Sequence, residues 1–220
     1  MPAFIFDMDG VIIDSNPLHR LAWMQYTRLH GVEMTEAMQQ TMYGKRNDEI
    51  IRGYLGEQLT DDEVFAHGAA KEALYREMMG PCIAKALVPG VREFLERHRG
   101  IPMGVATNAE AANVDFVLDG AGLRSFFRAI IDGHQVDRPK PYPDIFLAAA
   151  RALGTLPADC IVFEDSHAGV AAGVAAGMPV VGLTTTHANL SGPALLIPDF
   201  LDPTLEDWLV ARNQYSRPHP

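Results

Sequence analysis

Asp7 and Asp9 stand two residues apart at the polar end of a short apolar run, Phe4-Ile5-Phe6. On extended backbone, residues i and i+2 share a face, so both carboxylates are expected to project to the same side. Two carboxylates a few Å apart repel by up to ~4 kcal/mol at an effective dielectric near 20, so a cation or a shared proton must compensate. Oxygen-only ligands favour a hard cation, Mg2+ above the others. A second acidic pair, Glu164-Asp165, ends another apolar run, Cys160-Ile161-Val162-Phe163, with Ser166 beside it as a helix cap. Either acid alone would merely complement a helix N-terminus. Two pairs at one sheet edge read as an oxygen-rich metal site. Thr107 ends the run from Ile101 to Ala106. With the amides of Asn108 and Ala109 it makes an anion-binding corner before a helix. Lys140 lies in Arg138-Pro139-Lys140-Pro141-Tyr142-Pro143, where three prolines hold the backbone and hence the lysine at one spot.

These residues need a scaffold that brings strand ends together. Phe4-Ile5-Phe6 is too short for a helix and reads as a buried strand. Similar strands are expected at Ile101 to Ala106, Ala129 to Ile131, Cys160 to Phe163 and Pro179 to Leu183, the last followed by three threonines. Helical patterns separate them, marked by Val91, Phe94 and Leu95, by Ala111 to Leu118, by Ile145 to Leu153 and by Ala168 to Ala176. This alternation predicts an α/β fold, a Rossmann-like parallel sheet with helices on both faces, with ligands at the carboxyl ends of its strands. Asn16 to Ala86 differs, and reads as an all-helical insert after the first strand. Asn16-Pro17 opens one helix that Gly31 stops, Asn47 caps a second running to Leu55, and Thr60 to Glu63 is a capping box for a third running to Met79. The expected division is a core of 1–15 and 87–212, a helical cap of 16–86, and a fraying tail of 213–220.

Composition excludes several classes. The chain has 220 residues, 48% hydrophobic and 21% charged, which rules out wholesale disorder. A net charge of -10 argues against nucleic-acid or anionic-membrane partners. Cys82 and Cys160 cannot build a disulfide framework or a thiolate metal site, and read as free thiols in a reducing compartment. The N-terminus has no signal-peptide pattern, and the uncharged stretch from Ser166 to Pro198 is interrupted by Gly, Thr, Asn and Pro. A cytoplasmic monomer is expected.

In chain order the set is acid pair, Thr, Lys, acid pair, each after a strand. It offers a carboxylate nucleophile, a second carboxyl for proton transfer, Mg2+, and two donors for a phosphoryl group. On these residues the sequence resembles the haloacid dehalogenase superfamily of aspartyl-phosphate enzymes. Asp7-Met8-Asp9-Gly10-Val11 with Asp14-Ser15, Thr107-Asn108, Lys140-Pro141 with Pro143-Asp144, and Glu164-Asp165-Ser166 with Ala168-Gly169 match its four motifs in order. The helical insert is similar to the small cap of the beta-phosphoglucomutase-like branch. The resemblance implies that Asp7 attacks phosphorus and that Asp9 moves protons. It implies that Asp7, the backbone carbonyl of Asp9, Asp165 and Glu164, as a ligand or directly behind one, hold Mg2+. It implies too that Thr107 and Lys140 neutralise the phosphoryl oxygens and that Asn108 binds substrate beside them. An acid at position 9 implies phosphate-ester chemistry on a small phosphorylated metabolite.

Within that branch, water as acceptor gives a phosphatase and a sugar hydroxyl gives a phosphomutase. His19 and Lys71 resemble a histidine and a cap lysine of the mutases. The loop Gly44-Lys45-Arg46-Asn47-Asp48-Glu49 departs from the mutase pattern, which has Ser-Arg where Arg46-Asn47 aligns. Lys45 or Arg46 is left to meet the substrate, and the expectation is a sugar phosphatase, with the mutase as alternative. A receiver-type phosphoacceptor would share the acids, Thr and Lys. It would lack the insert and carry its phosphorylated Asp on a later strand.

Overall fold

The computed structural model describes residues 2–42 and 45–212. Six strands form one sheet: β1 (Ala3–Phe6), β2 (Met103–Ala106), β3 (Ala129–Ile131), β4 (Cys160–Glu164), β5 (Val180–Leu183) and β6 (Leu195–Ile197). All neighbours pair in parallel in the order β3-β2-β1-β4-β5-β6. The alternation of side chains along β1 divides it between two cores. Phe4 and Phe6 pack on one face with Phe94, Phe163 and Phe200. Ala3 and Ile5 pack on the other with Ile145, Phe146 and Ala149. Register puts Phe6 opposite Phe163, and their rings stack at 4.7 Å.

The first face is covered by α5 (Val91–Arg97), α6 (Ala111–Gly120) and α9 (Pro203–Ala211), the second by α7 (Asp144–Leu153) and α8 (His167–Ala175). In α7 the buried residues Ile145, Phe146, Ala149 and Ala150 recur at helical spacing, which seats that stripe on the sheet. The strand order reverses at β1, so the crevice beyond the carboxyl ends of β1 and β4 is the switch point where such sheets take ligands.

Between β1 and β2 run α1 (Asn16–Leu29), α2 (Glu36–Thr41), α3 (Asn47–Leu55) and α4 (Asp61–Met79). They form the helical cap, with its own small core of Trp23, Tyr26, Met42, Ile50, Ile51 and Val64. Chain exit and return are tied together, with Asp14 N donating to Ala86 O at 2.7 Å and Val88 N to Ile12 O at 3.1 Å. Thr60 and Glu63 make the expected capping box at the start of α4.

Some local expectations are corrected. Ser15, not Asn16, is the N-cap of α1, and Arg46, not Asn47, is that of α3. Thr107 does not cap α6, whose N-cap is Glu110. Asn16 and Asn47 are instead held by distant partners described below, whereas the Thr107 hydroxyl stays local and accepts from Ala109 N. The short α2 and β6, and α9 with only Leu205 and Leu209 buried, lie outside the elements read from the sequence. Gly44 and the tail 213–220 lie outside the described residues. No helix among the described residues is long and apolar enough to cross a membrane. Cys82 and Cys160 are both free.

Candidate active site

Asp7 continues β1 by donating its N–H to Phe163 O at 3.0 Å, which fixes its carboxylate at the sheet edge. Lys140 reaches in from the loop before α7, donating to Asp7 Oδ1 at 2.7 Å and to Glu164 Oε1 at 2.6 Å. All three side chains are buried, and the Lys140 ammonium lies 4.8 Å from the centre of the Phe146 ring. The other Glu164 oxygen accepts from the N–H groups of Asp165 and Ser166, each at 2.8 Å, and from Ser166 Oγ. Ser166 Oγ also accepts from Gly169 N, capping α8 as the sequence suggests. Glu164 is thus saturated: it holds Lys140 and the start of α8 in place. Asp165 accepts from Thr186 Oγ1, and Asn16 Nδ2 donates to Thr186 at 2.6 Å and to Asp165 at 3.5 Å.

One carboxylate oxygen from each of Asp7, Glu164 and Asp165 lies within 4.8 Å of the other two. One ammonium against three carboxylates leaves a buried charge deficit. Burial pushes the Asp7 carboxyl up to about 7, Glu164 and Asp9 adding to this and Lys140 opposing it. Burial, then Glu164 and Asp7, push Asp165 well above the usual carboxylate range. Asp7 Oδ2 and Asp165 Oδ1 accept no hydrogen bond among the described residues. The residues therefore fit a divalent cation, and an all-oxygen donor set suits Mg2+.

Gly10 makes room for this cluster. It has φ +77°, and a Cβ there would lie 1.9 Å from Asp165 Oδ2. Gly10→Ala is therefore expected to displace Asp165, raising the Mg2+ concentration for half-maximal activity at least about tenfold, as metal sites respond to lost positioning. Metal titration of turnover checks it, and an unchanged Mg2+ dependence would refute it.

Asp9 lines the same cavity as Asp7 but is held by other partners. It lies past the end of β1, in the turn closed by Gly10 N to Ile13 O at 2.7 Å. Its carboxylate accepts from Ser15 Oγ and lies 3.5 Å from His19 Nε2. Burial alone would raise the Asp9 carboxyl, but His19 and Ser15 hold it below the usual range. Its Oδ2 has no hydrogen-bond partner among the described residues. The His19 ring stacks on Tyr75 at 3.7 Å, with Nδ1 3.3 Å from Lys71 Nζ.

Thr107 is buried at the end of β2 and its Oγ1 accepts from Ala109 N at 3.2 Å. Asn108 Oδ1 accepts from Lys140 N at 3.4 Å, so the two motifs meet. A cavity of about 390 Å³ runs from Asp7, Thr107 and Lys140 at the sheet to Asn47, Lys71 and Glu72 in the cap. His19, Lys45, Arg46 and Asn108 also line it. Lys71 is buried and paired with Glu72, and Arg46 Nε lies 3.3 Å from Asp48. Sequence reasoning missed Asn16, Glu72, Glu110, Asn113 and Thr186. Two of them carry a signal of another kind: Asn16 reads as a helix opener, and Thr186 as one of three threonines at a strand end.

Comparison with known proteins agrees with this geometry. The family model described as haloacid dehalogenase-like hydrolase matches residues 1–177. Fructose-1-phosphate phosphatase YqaB of Escherichia coli is 33% identical over 180 residues, spanning 80% of this chain and 93% of that protein. Beta-phosphoglucomutase of Bacillus subtilis is 32% identical over 229 residues, spanning 99% and 100%. The crystal structure of beta-phosphoglucomutase from Clostridium difficile superposes with a TM-score of 0.87 at 26% identity, covering 98% of each chain. A family match that takes in the core motifs, and relatives aligned along almost the whole chain, agree with the sheet-edge cluster: this protein belongs to the haloacid dehalogenase-like hydrolases.

Proposed function

We propose that the protein is a Mg2+-dependent phosphatase that hydrolyses a small sugar phosphate through an aspartyl-phosphate on Asp7. The observation that carries this reading is that Asp7 and Asp9 line one cavity, each with an oxygen, Oδ2, that accepts no hydrogen bond among the described residues, while Lys140 clamps the other Asp7 oxygen. Asp9, ionised in the free protein, takes up a proton as the anionic phosphate ester enters beside it; Asp7 Oδ2 attacks phosphorus, the bond from phosphorus to the ester oxygen breaks, and Asp9 gives that oxygen its proton. Water then attacks phosphorus, Asp9 takes the water's proton, and the bond to Asp7 breaks to release phosphate. Ser15 and His19 orient Asp9 for both transfers. Lys140 and Thr107 donate to the phosphoryl oxygens as charge redistributes. Mg2+ held by Asp7, Asp165 and the backbone carbonyl of Asp9 would supply further neutralisation of those oxygens, with Glu164 directly behind. Asn108 borders the phosphoryl site, and Lys45 and Arg46 steer the anionic substrate into the cavity.

Residues 16–86 act as the cap and 1–15 with 87–212 as the catalytic core. A net charge of -10 suits a cytoplasmic monomer working on a diffusible metabolite rather than on nucleic acid or a lipid surface.

The test is a panel of hexose and pentose phosphates with Mg2+, scored separately for free phosphate and for isomerised sugar phosphate. Free phosphate is the expected product. EDTA, or Asp165→Asn, is expected to lower turnover by about 100-fold or more, the loss of several kcal/mol of charge stabilisation. Rapid isomerisation with negligible free phosphate, or full turnover in EDTA, would overturn the reading.

A further inference from the structure

The cap end of the cavity is built from hydrogen-bond acceptors. Asn47, the first residue of α3, reaches both α4 and the N-cap of α6. Its Nδ2 donates to Glu72 Oε1 at 2.7 Å and to Glu110 Oε1 at 3.0 Å. Two carboxylates fix the orientation of the amide, because only its NH2 group can face both. With both amide hydrogens engaged, Asn47 Oδ1 is left without a hydrogen-bond partner among the described residues, as is Glu110 Oε2.

All the cations at this end but Lys45 are committed to other partners. Lys71 pairs with Glu72 and approaches His19 at 3.3 Å. Arg76 donates to Asn113 Oδ1 at 2.7 Å, while Asn113 Nδ2 donates to Glu72 Oε2 at 2.6 Å. Arg52 is held by Leu59 O and Asp61, and Arg46 by Asp48. Lys45 is exposed. Burial works against the Glu72 anion, but Lys71, His19 and Asn113 hold its carboxyl down to about 2, so the wall keeps its charge.

We infer that Asn47, Glu72 and Glu110 set substrate specificity, selecting a phosphomonoester whose non-reacting end carries hydroxyl donors and rejecting one whose non-reacting end is a second phosphate. This deepens the phosphatase reading above and rests on it. Sugar hydroxyls can donate to Glu110 Oε2 and Asn47 Oδ1, with Glu72 holding the amide from behind. A phosphate dianion offers only acceptors to acceptors, and like charge to Glu110. Isomerisation through a bisphosphate requires each end in turn to occupy this wall, so the same residues favour release of phosphate to water.

The experiment compares matched pairs that differ only by a hydroxyl or a phosphate at the far end. Fructose 1-phosphate is set against fructose 1,6-bisphosphate, and glucose 6-phosphate against glucose 1,6-bisphosphate. The far-end-blind ester 4-nitrophenyl phosphate reports the catalytic centre itself. Wild type is expected to show kcat/KM at least tenfold higher for the monophosphate of a pair, the difference lying in KM. Glu110→Gln should narrow that ratio and Glu110→Lys should reverse it. Equal or higher kcat/KM for the bisphosphate in wild type overturns the inference. So does an unmoved ratio in a Glu110→Lys protein that melts cooperatively. If neither variant folds, the wild-type ratio decides alone. No phosphate release from 4-nitrophenyl phosphate or any sugar ester instead overturns the phosphatase reading beneath it.

Discussion

Asp7→Asn is expected to leave a folded protein whose phosphate release falls by about four orders of magnitude or more, the scale on which removal of a covalent nucleophile is felt. An amide oxygen in the same place still accepts from Lys140, which donates to Asp7 Oδ1 at 2.7 Å, so the local geometry survives. What disappears is the negative charge and the oxygen able to form a bond to phosphorus. The same change relieves repulsion with Glu164 and Asp165, whose carboxylates lie within 4.8 Å of Asp7 in the same group. The metal-free variant should therefore melt at a higher temperature than metal-free wild type, while Mg2+ should raise the melting temperature of wild type more than that of the variant. Beryllofluoride, a phosphoryl mimic that bonds to a carboxylate, should stabilise wild type with Mg2+ and not the variant. Wild-type kcat in Asp7→Asn would remove the covalent step and require direct attack by water on the ester.

The sheet-edge half of the site is legible in the sequence because its logic is one-dimensional. Asp7, Thr107, Lys140, Glu164 and Asp165 each follow a buried strand or border one. A parallel sheet gathers strand ends at one edge whatever the details of packing. Phe4 and Phe6 alternate with Ala3 and Ile5, and this period alone divides the two cores. The cap half is not legible in this way. The partners of Asp9 depend on a turn that begins once the strand ends at Phe6: Ser15 and His19 hold its carboxylate, whereas Lys140 holds that of Asp7. Asn47 can be read as a helix cap or as the neutral replacement of a cation. What it does in the structure depends on Glu72, 25 residues along, and on Glu110, 63 residues along. Asn16 has the pattern of an N-cap beside proline, yet its side chain crosses 170 residues of sequence to Thr186. Such pairings are set by how the cap seats on the sheet, and no local pattern encodes them.

Lys140→Met tests how far the fold itself depends on the catalytic cluster. Burial alone would drive the Lys140 ammonium toward neutrality, but Asp7 and Glu164 more than reverse this and raise it above the ordinary lysine range. The ion pairs are hidden from water, with side-chain exposures of 4% for Lys140, 10% for Asp7 and 1% for Glu164. Removing the cation leaves Asp7 and Glu164 buried without a counter-charge, a change that costs roughly 3–5 kcal/mol in buried pairs. Methionine fills most of the space beside Phe146, so the loss is electrostatic rather than a cavity. Urea unfolding in EDTA should show that loss as a lower midpoint. Mg2+ should restore part of it, because binding to the folded state alone adds stability by mass action. Turnover should stay down by about 100-fold or more even at saturating Mg2+, since one donor to the phosphoryl oxygens is gone. The two readouts separate the roles of the residue: metal can replace the charge Lys140 lends to the fold, but not the hydrogen bonds proposed for it to the transferring group. An unfolding midpoint in EDTA equal to that of wild type would mean that the carboxylates are already neutral in the metal-free protein. The charge deficit that argues for a divalent cation would then be absent.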